Sequence, residues 1–121
     1  KKVDSFVSER MDMLRQYYVR CADRGDFFKG KPVVVYGAGK FGHAAVRDLL
    51  RHKAEIIGIC DADKRKQGNS IQGIRIFGFG RLEAEYRKHK GCIVVVANNA
   101  HLVQIIKMLR SSGISRIAVI T

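Results

Sequence analysis

At 121 residues the chain has the length of a single domain and no room for a second. Hydrophobic residues make up 46% and charged residues 28%, which excludes a disordered or fibrous chain, and no apolar run approaches the ~20 residues that span a bilayer. The formal charge of +12 calls for an anionic partner, which leaves nucleic acid, an acidic membrane surface or a phosphate-bearing ligand.

The first predicted element is an amphipathic helix from about Ser5 to Ala22. Val3, Val7, Met11, Leu14, Tyr18 and Cys21 recur in steps of three and four, with Phe6 and Tyr17 widening the stripe. Asp4 or Ser5 supplies the N-cap, and Asp23, Gly25 and Asp26 end the helix. It is expected to pack on its own domain, so residues 1–30 are read as N-terminal helix and linker and residues 31–121 as the domain proper.

Val33-Val34-Val35-Tyr36 is a continuous run that reads as a buried strand. Gly37-Ala38-Gly39-Lys40-Phe41-Gly42 follows at once and opens a helix with Phe41, Ala45, Leu49 and His52 on one face. Ile56 to Cys60 is a second buried strand, closed by Asp61. Residues from Ala62 to Gly73 are too polar for a covering helix, so the usual second crossover helix is expected to be missing or reduced. Ile74 to Phe77 is a short strand, Arg81 to Lys90 a helix with Leu82 and Tyr86 inward, and Cys92 to Ala97 another buried strand. His101 to Ser112 is a helix burying Leu102, Ile105, Ile106 and Leu109, ended by Gly113, and Ile117 to Ile120 is a last strand. This alternation predicts an α/β fold, a Rossmann-like three-layer sandwich with a mostly parallel sheet, preceded by the N-terminal helix.

The glycine loop carries the chemistry. A lone G-x-G-x-x-G is a weak signal, but here it follows a buried strand, opens a helix, and has Asp61 closing the next strand 19 residues beyond Gly42. Gly37 permits the tight turn, Gly39 lets a pyrophosphate approach the backbone, and Gly42 lets the helix pack close to the sheet. The first N–H groups of the helix then hold phosphate charge, and Asp61 accepts from ribose hydroxyls. Asn98 and Asn99 end the Val94-Val95-Val96 strand on the same edge of the sheet, where either could contact a base or sugar or cap the following helix. The expected binding set is Gly37, Ala38, Gly39, Lys40, Phe41, Gly42, Asp61, Ala62, Asp63, Asn98 and Asn99.

His43 and His101 are the histidines near this rim, with His43 facing solvent or ligand, while His52 and His89 read as surface positions; no catalytic arrangement can be assembled, so this chain alone is not expected to be an enzyme. Cys21, Cys60 and Cys92 lack metal or redox spacing, and with Cys60 and Cys92 in apolar runs they point to a reducing, cytoplasmic compartment. The chain opens Lys1-Lys2-Val3 without an initiator Met, as a fragment or processed chain does. Basic residues are spread over predicted helix faces without aromatic interleaving or a helix-turn-helix pattern, so nucleic acid is not the expected partner.

Ile57-Gly58-Ile59-Cys60-Asp61-Ala62-Asp63, followed by Gly68-Asn69-Ser70-Ile71-Gln72-Gly73-Ile74-Arg75-Ile76, resembles the Rossmann-like domain of nucleotide-sugar acyltransferases and bacterial polysaccharide-biosynthesis enzymes. The resemblance runs from about Val33 to Ile120 and implies that Gly37, Gly39, Gly42, Asp61 and Asp63 serve a nucleotide-sugar. It departs at Lys40-Phe41-Gly42-His43, where the histidine falls one place later, and this chain lacks the left-handed β-helix of the acyltransferases, so transferase activity is not implied.

The leading expectation is a module binding NAD(H) or a nucleotide-sugar within a larger sugar-modifying protein, with self-association left open. An NAD(P)-dependent oxidoreductase domain, a domain associated with S-adenosylmethionine-dependent methyltransferases and a non-binding interaction domain are the alternatives. Asp61 favours an unphosphorylated ribose, whereas Lys64, Arg65 and Lys66 follow closely enough to neutralise a 2′-phosphate.

Overall fold

The computed structural model describes residues 2–98 and 100–120, with side chains from residue 7 onward. Six strands form one sheet in the order β3-β4-β2-β1-β5-β6. They are β1 (Pro32–Tyr36), β2 (Glu55–Cys60), β3 (Ser70–Ile71), β4 (Ile74–Phe77), β5 (Ile93–Val96) and β6 (Ile117–Val119). All neighbouring pairs are parallel except β3 with β4, a small antiparallel hairpin at one edge. Chain order reverses between β1, which leads to β2 on one side, and β5 on the other. That reversal opens a crevice at the carboxyl ends of the strands.

The β-branched run of β1 explains its central place. Val33, Val34 and Val35 are fully buried, and their side chains alternate between two apolar clusters. Val33 and Val35 join Ala45, Val46 and Leu49 of α3 (Lys40–Arg51) on one face. Val34 and Tyr36 join Leu82 of α4 (Phe79–Lys88) and Leu102, Ile106 and Leu109 of α5 (Leu102–Ser111) on the other. Helices on both faces of a mostly parallel sheet make a Rossmann-like three-layer sandwich. Between β2 and β4 there is no helix, only turns and the β3 hairpin, as the polarity of that stretch requires.

The N-terminal region departs from its sequence reading. Helix α1 (Lys2–Tyr17) stops before Ala22, and Tyr18 pairs in parallel with Val119 at the β6 edge. A 3-10 turn (Cys21–Asp23) and a short helix α2 (Arg24–Phe28) follow. Helix α1 packs on α5 and β6 through Met13, with Leu14 and Tyr17 beside it. Val7 and Met11, expected inward, are 53% and 47% exposed. The phase of the helix is therefore set by docking rather than by its longest apolar stripe. The side chains of Val3 and Phe6 lie outside the described residues. Arg24 is buried and donates to Asp48 Oδ2 at 2.8 Å and to the Val19 carbonyl at 3.1 Å, tying this region to α3.

Candidate functional site

The glycine loop leaves β1 at the crevice, and two of its glycines are demanded by packing alone. Gly37 has φ +116°, and a Cβ there would stand 2.9 Å from the Ala97 carbonyl oxygen. A Cβ on Gly42 would stand 1.9 Å from the Gly37 carbonyl oxygen, so α3 can seat against the loop only with glycine at this place. Gly39 differs. Its φ is −89°, and a Cβ would meet nothing closer than Lys66 Nζ at 3.8 Å. The chain's own packing leaves that place open.

Asp61 closes β2 and reaches back to the loop. Its Oδ2 accepts from the Ala38 N–H at 2.8 Å, and its Oδ1 accepts from the Asp63 N–H at 2.8 Å. The carboxylate thus welds the end of β2 to the turn after β1. The Ala38 N–H is therefore engaged within the chain. Gly37 likewise donates its N–H to the Cys60 carbonyl at 2.8 Å. The donors left to an anion are those at the start of α3, which has no side-chain cap.

A cleft of about 250 Å³ lies over this junction. The structure brings Gly37, Gly39, Lys40, Phe41, Asp61 and Asn98 to its lining. Ala38 and Gly42 lie beneath it, both buried. Ala62 is exposed and Asp63 half-buried, and neither lines the cleft. Asp63 is held by Arg65, whose side-chain hydrogen bonds at 3.1 Å and backbone N–H at 3.0 Å keep the carboxyl below its ordinary pKa. Asn98 Oδ1 accepts from the His101 N–H at 3.1 Å and so caps the turn leading into α5. Asn99 lies outside the described residues.

Phe41 departs from its expected place. It was assigned to the buried face of α3 with Ala45 and Leu49, yet it is 51% exposed and stands at the mouth of the cleft. Position 41 falls in the first turn of α3, at the edge of the cleft. Lys66 is the main lining residue that the expected set lacked. Its ammonium lies 3.9 Å from Asp61 Oδ2. The basic run signalled charge near the site, but only the turn after β2 decides which of its members faces the cleft. Burial pushes the Cys60 thiol, directly before Asp61, up to about 12, with the Asp61 charge adding to the effect, so it is an inert core group. No metal-binding cluster of His, Cys, Asp or Glu exists among the described residues, and no helix among them is long and apolar enough to cross a membrane.

The mostly parallel sheet, its reversal beside β1 and the glycine loop at that reversal define a Rossmann-like α/β domain. Residues 29–120 match the family described as C2185-like, N-terminal, and the chain belongs to that family. The redox-sensing transcriptional repressor Rex of Treponema denticola is 33% identical over 70 residues, covering 56% of this chain and 33% of that protein. The match thus spans about a third of the length of this curated relative. Among solved structures, RSP, a Rex-family repressor, aligns with a TM-score of 0.61 at 16% identity, covering 77% of this chain and 53% of that one. RSP in complex with β-NADH aligns with a TM-score of 0.59 at 22% identity, covering 75% and 45%. The UDP-D-quinovosamine 4-dehydrogenase of Vibrio fischeri aligns with a TM-score of 0.58 at 29% identity, covering 74% and 75%. These names are a repressor family and a dehydrogenase, and none is an acyltransferase.

Proposed function

We propose that this chain is a binding module for an NAD-type dinucleotide, held at the switch point between β1 and β5, within a larger protein. Residues 1–30 are read as an N-terminal addition to the binding domain, in keeping with a family match that begins at residue 29. Gly39 carries the reading. Gly37 and Gly42 are explained by backbone geometry and packing, whereas Gly39 borders an open cleft and has no such reason to lack a side chain. A diphosphate lying against the backbone at the start of α3 supplies that reason. Asp61, on the cleft wall at the end of β2, is then placed for the ribose hydroxyls, and Asn98 and Phe41 for the remainder of the ligand.

The relatives support the dinucleotide over the nucleotide-sugar. One structure of the Rex-family repressor RSP is named as a complex with β-NADH and another as a complex with β-NAD+ and operator DNA. The dehydrogenase likeness keeps a sugar nucleotide as the second reading, since that enzyme is named for a UDP-sugar and is more identical to this chain than the RSP structures are. Operator DNA is a partner of that repressor; our reading of this chain includes no nucleic acid. Within the larger protein this domain reports or positions a bound nucleotide.

Isothermal titration of the chain with NADH, NAD+, NADPH and a UDP-sugar tests the reading. NADH or NAD+ is expected to bind, and Gly39→Val to abolish binding while leaving the unfolding midpoint unchanged. Heat from the UDP-sugar alone would shift the assignment to the second reading, and full NADH affinity in Gly39→Val would move the ligand away from the loop.

A further inference from the structure

We propose that Lys66 is a phosphate-binding residue of this cleft, so that the ligand it selects is a nucleoside diphosphate rather than a bare nucleoside. The inference rests on the nucleotide reading above and adds the group that is recognised.

The argument starts from the missing crossover helix. The turn that replaces it is held by bonds of its own. Gln67 Nε2 donates to the Asp61 carbonyl at 2.9 Å, the Lys66 N–H to the Asp63 carbonyl at 3.0 Å, and the Gly68 N–H to the Ile76 carbonyl at 2.8 Å. These fix which member of the basic run Lys64-Arg65-Lys66 faces inward. Lys64 is exposed, and Arg65 is turned outward, its side chain 90% exposed and bound to Asp63. Lys66 alone of the three lines the cleft.

Its ammonium sits between the two halves of the site. It lies 3.9 Å from Asp61 Oδ2 on one side and 3.8 Å from the point where a Gly39 Cβ would stand on the other. A diphosphate occupying the space above Gly39 therefore comes within reach of Lys66 Nζ without any movement of the backbone. The charges agree with this. Two lysines, Lys40 and Lys66, and one carboxylate, Asp61, line the cleft, so the lining is left with net positive charge and is completed by an anion. Asp61 keeps the lysine at the cleft while the site is empty, and a ligand phosphate shares it when bound. A 2′-phosphate would have to approach Lys66 from the Asp61 side, against the repulsion of that carboxylate.

The test compares NADH, NADPH, ADP, AMP and adenosine on the full chain, on Lys66→Met and on Lys64→Met. The parent is expected to bind ADP more tightly than AMP or adenosine. Lys66→Met is expected to lose about tenfold in affinity for NADH and for ADP, the size of one charge-assisted hydrogen bond, with adenosine binding unchanged. Lys64→Met is expected to behave as the parent, and both variants to unfold at the parent's urea midpoint. A Lys66→Met protein that holds NADH and ADP within about twofold of the parent overturns the proposal and leaves the nucleotide reading standing. A loss confined to NADPH overturns it too and assigns Lys66 to a 2′-phosphate. A parent that binds none of the five overturns the nucleotide reading itself, and this inference falls with it.

Discussion

Asp61 has its two carboxylate oxygens engaged with backbone before any ligand arrives, one with Ala38 and one with Asp63. Each oxygen has a second lone pair, so the same group can hold the loop and still accept from ribose hydroxyls. The two tasks separate in a stability measurement made without ligand. Asp61→Ala strands two backbone N–H groups in a partly buried junction and is expected to cost about 1–3 kcal/mol in urea unfolding. Asp61→Asn keeps one acceptor and is expected to cost less than the alanine variant. An alanine variant as stable as the parent would show that the bond to Ala38 does not hold the loop. The position of Asp61 was legible from its spacing to the glycines. Its bond to Ala38 was not, because that contact joins two strand ends that become neighbours only when β1 and β2 pair.

The elements were legible where a single physical rule dominates. β1 and β5 are runs of β-branched residues buried on both faces, and α5 repeats its apolar residues on one stripe, so each follows directly from the sequence. Helix α1 docks through only part of its expected stripe: Leu14 and Tyr17 pack beside Met13, while Val7, Met11 and Tyr18 stay exposed. Met13 faces the core at 8% exposure while Met11 is left outward, and Glu9 pairs with Lys107 of α5 at 2.9 Å on the docked side. Met13→Ala is therefore expected to cost about 2–4 kcal/mol, a large-to-small change in a packed interface. Met11→Ala should stay within about 0.5 kcal/mol of the parent, as exposed substitutions do. Equal losses in urea unfolding would mean that α1 does not dock in this phase. Helix α2 escaped the sequence reading because its anchor, Arg24, is stabilised by Asp48 on a distant element, and no local pattern announces a buried ion pair.

At the scale of the whole molecule the core contains acids that the fold keeps neutral. Burial raises Cys60 to about 12 and Cys92 to about 11 from an ordinary value near 9, and burial, with Cys60 and Asp61 nearby, raises Tyr36 as well. The unfolded chain releases each thiol proton near pH 9, whereas the folded chain retains it two or three units longer. Folding therefore binds protons in that window, so stability is complete below pH 9 and falls as pH rises towards 11 and 12. Each buried thiol removes about 1.4 kcal/mol per pH unit there, so the two together remove a sizeable part of a margin of about 5–15 kcal/mol. Cys60→Ala isolates one contribution. It leaves a small void that costs about 1 kcal/mol at neutral pH, and it should make the fall in stability between pH 9 and 11 shallower by about 1.4 kcal/mol per unit. Parallel stability curves for parent and variant across that range would mean that the thiol beside the binding carboxylate ionises freely in the folded chain. Such a thiolate would also place a second negative charge behind Asp61 and weaken the cleft's hold on an anion.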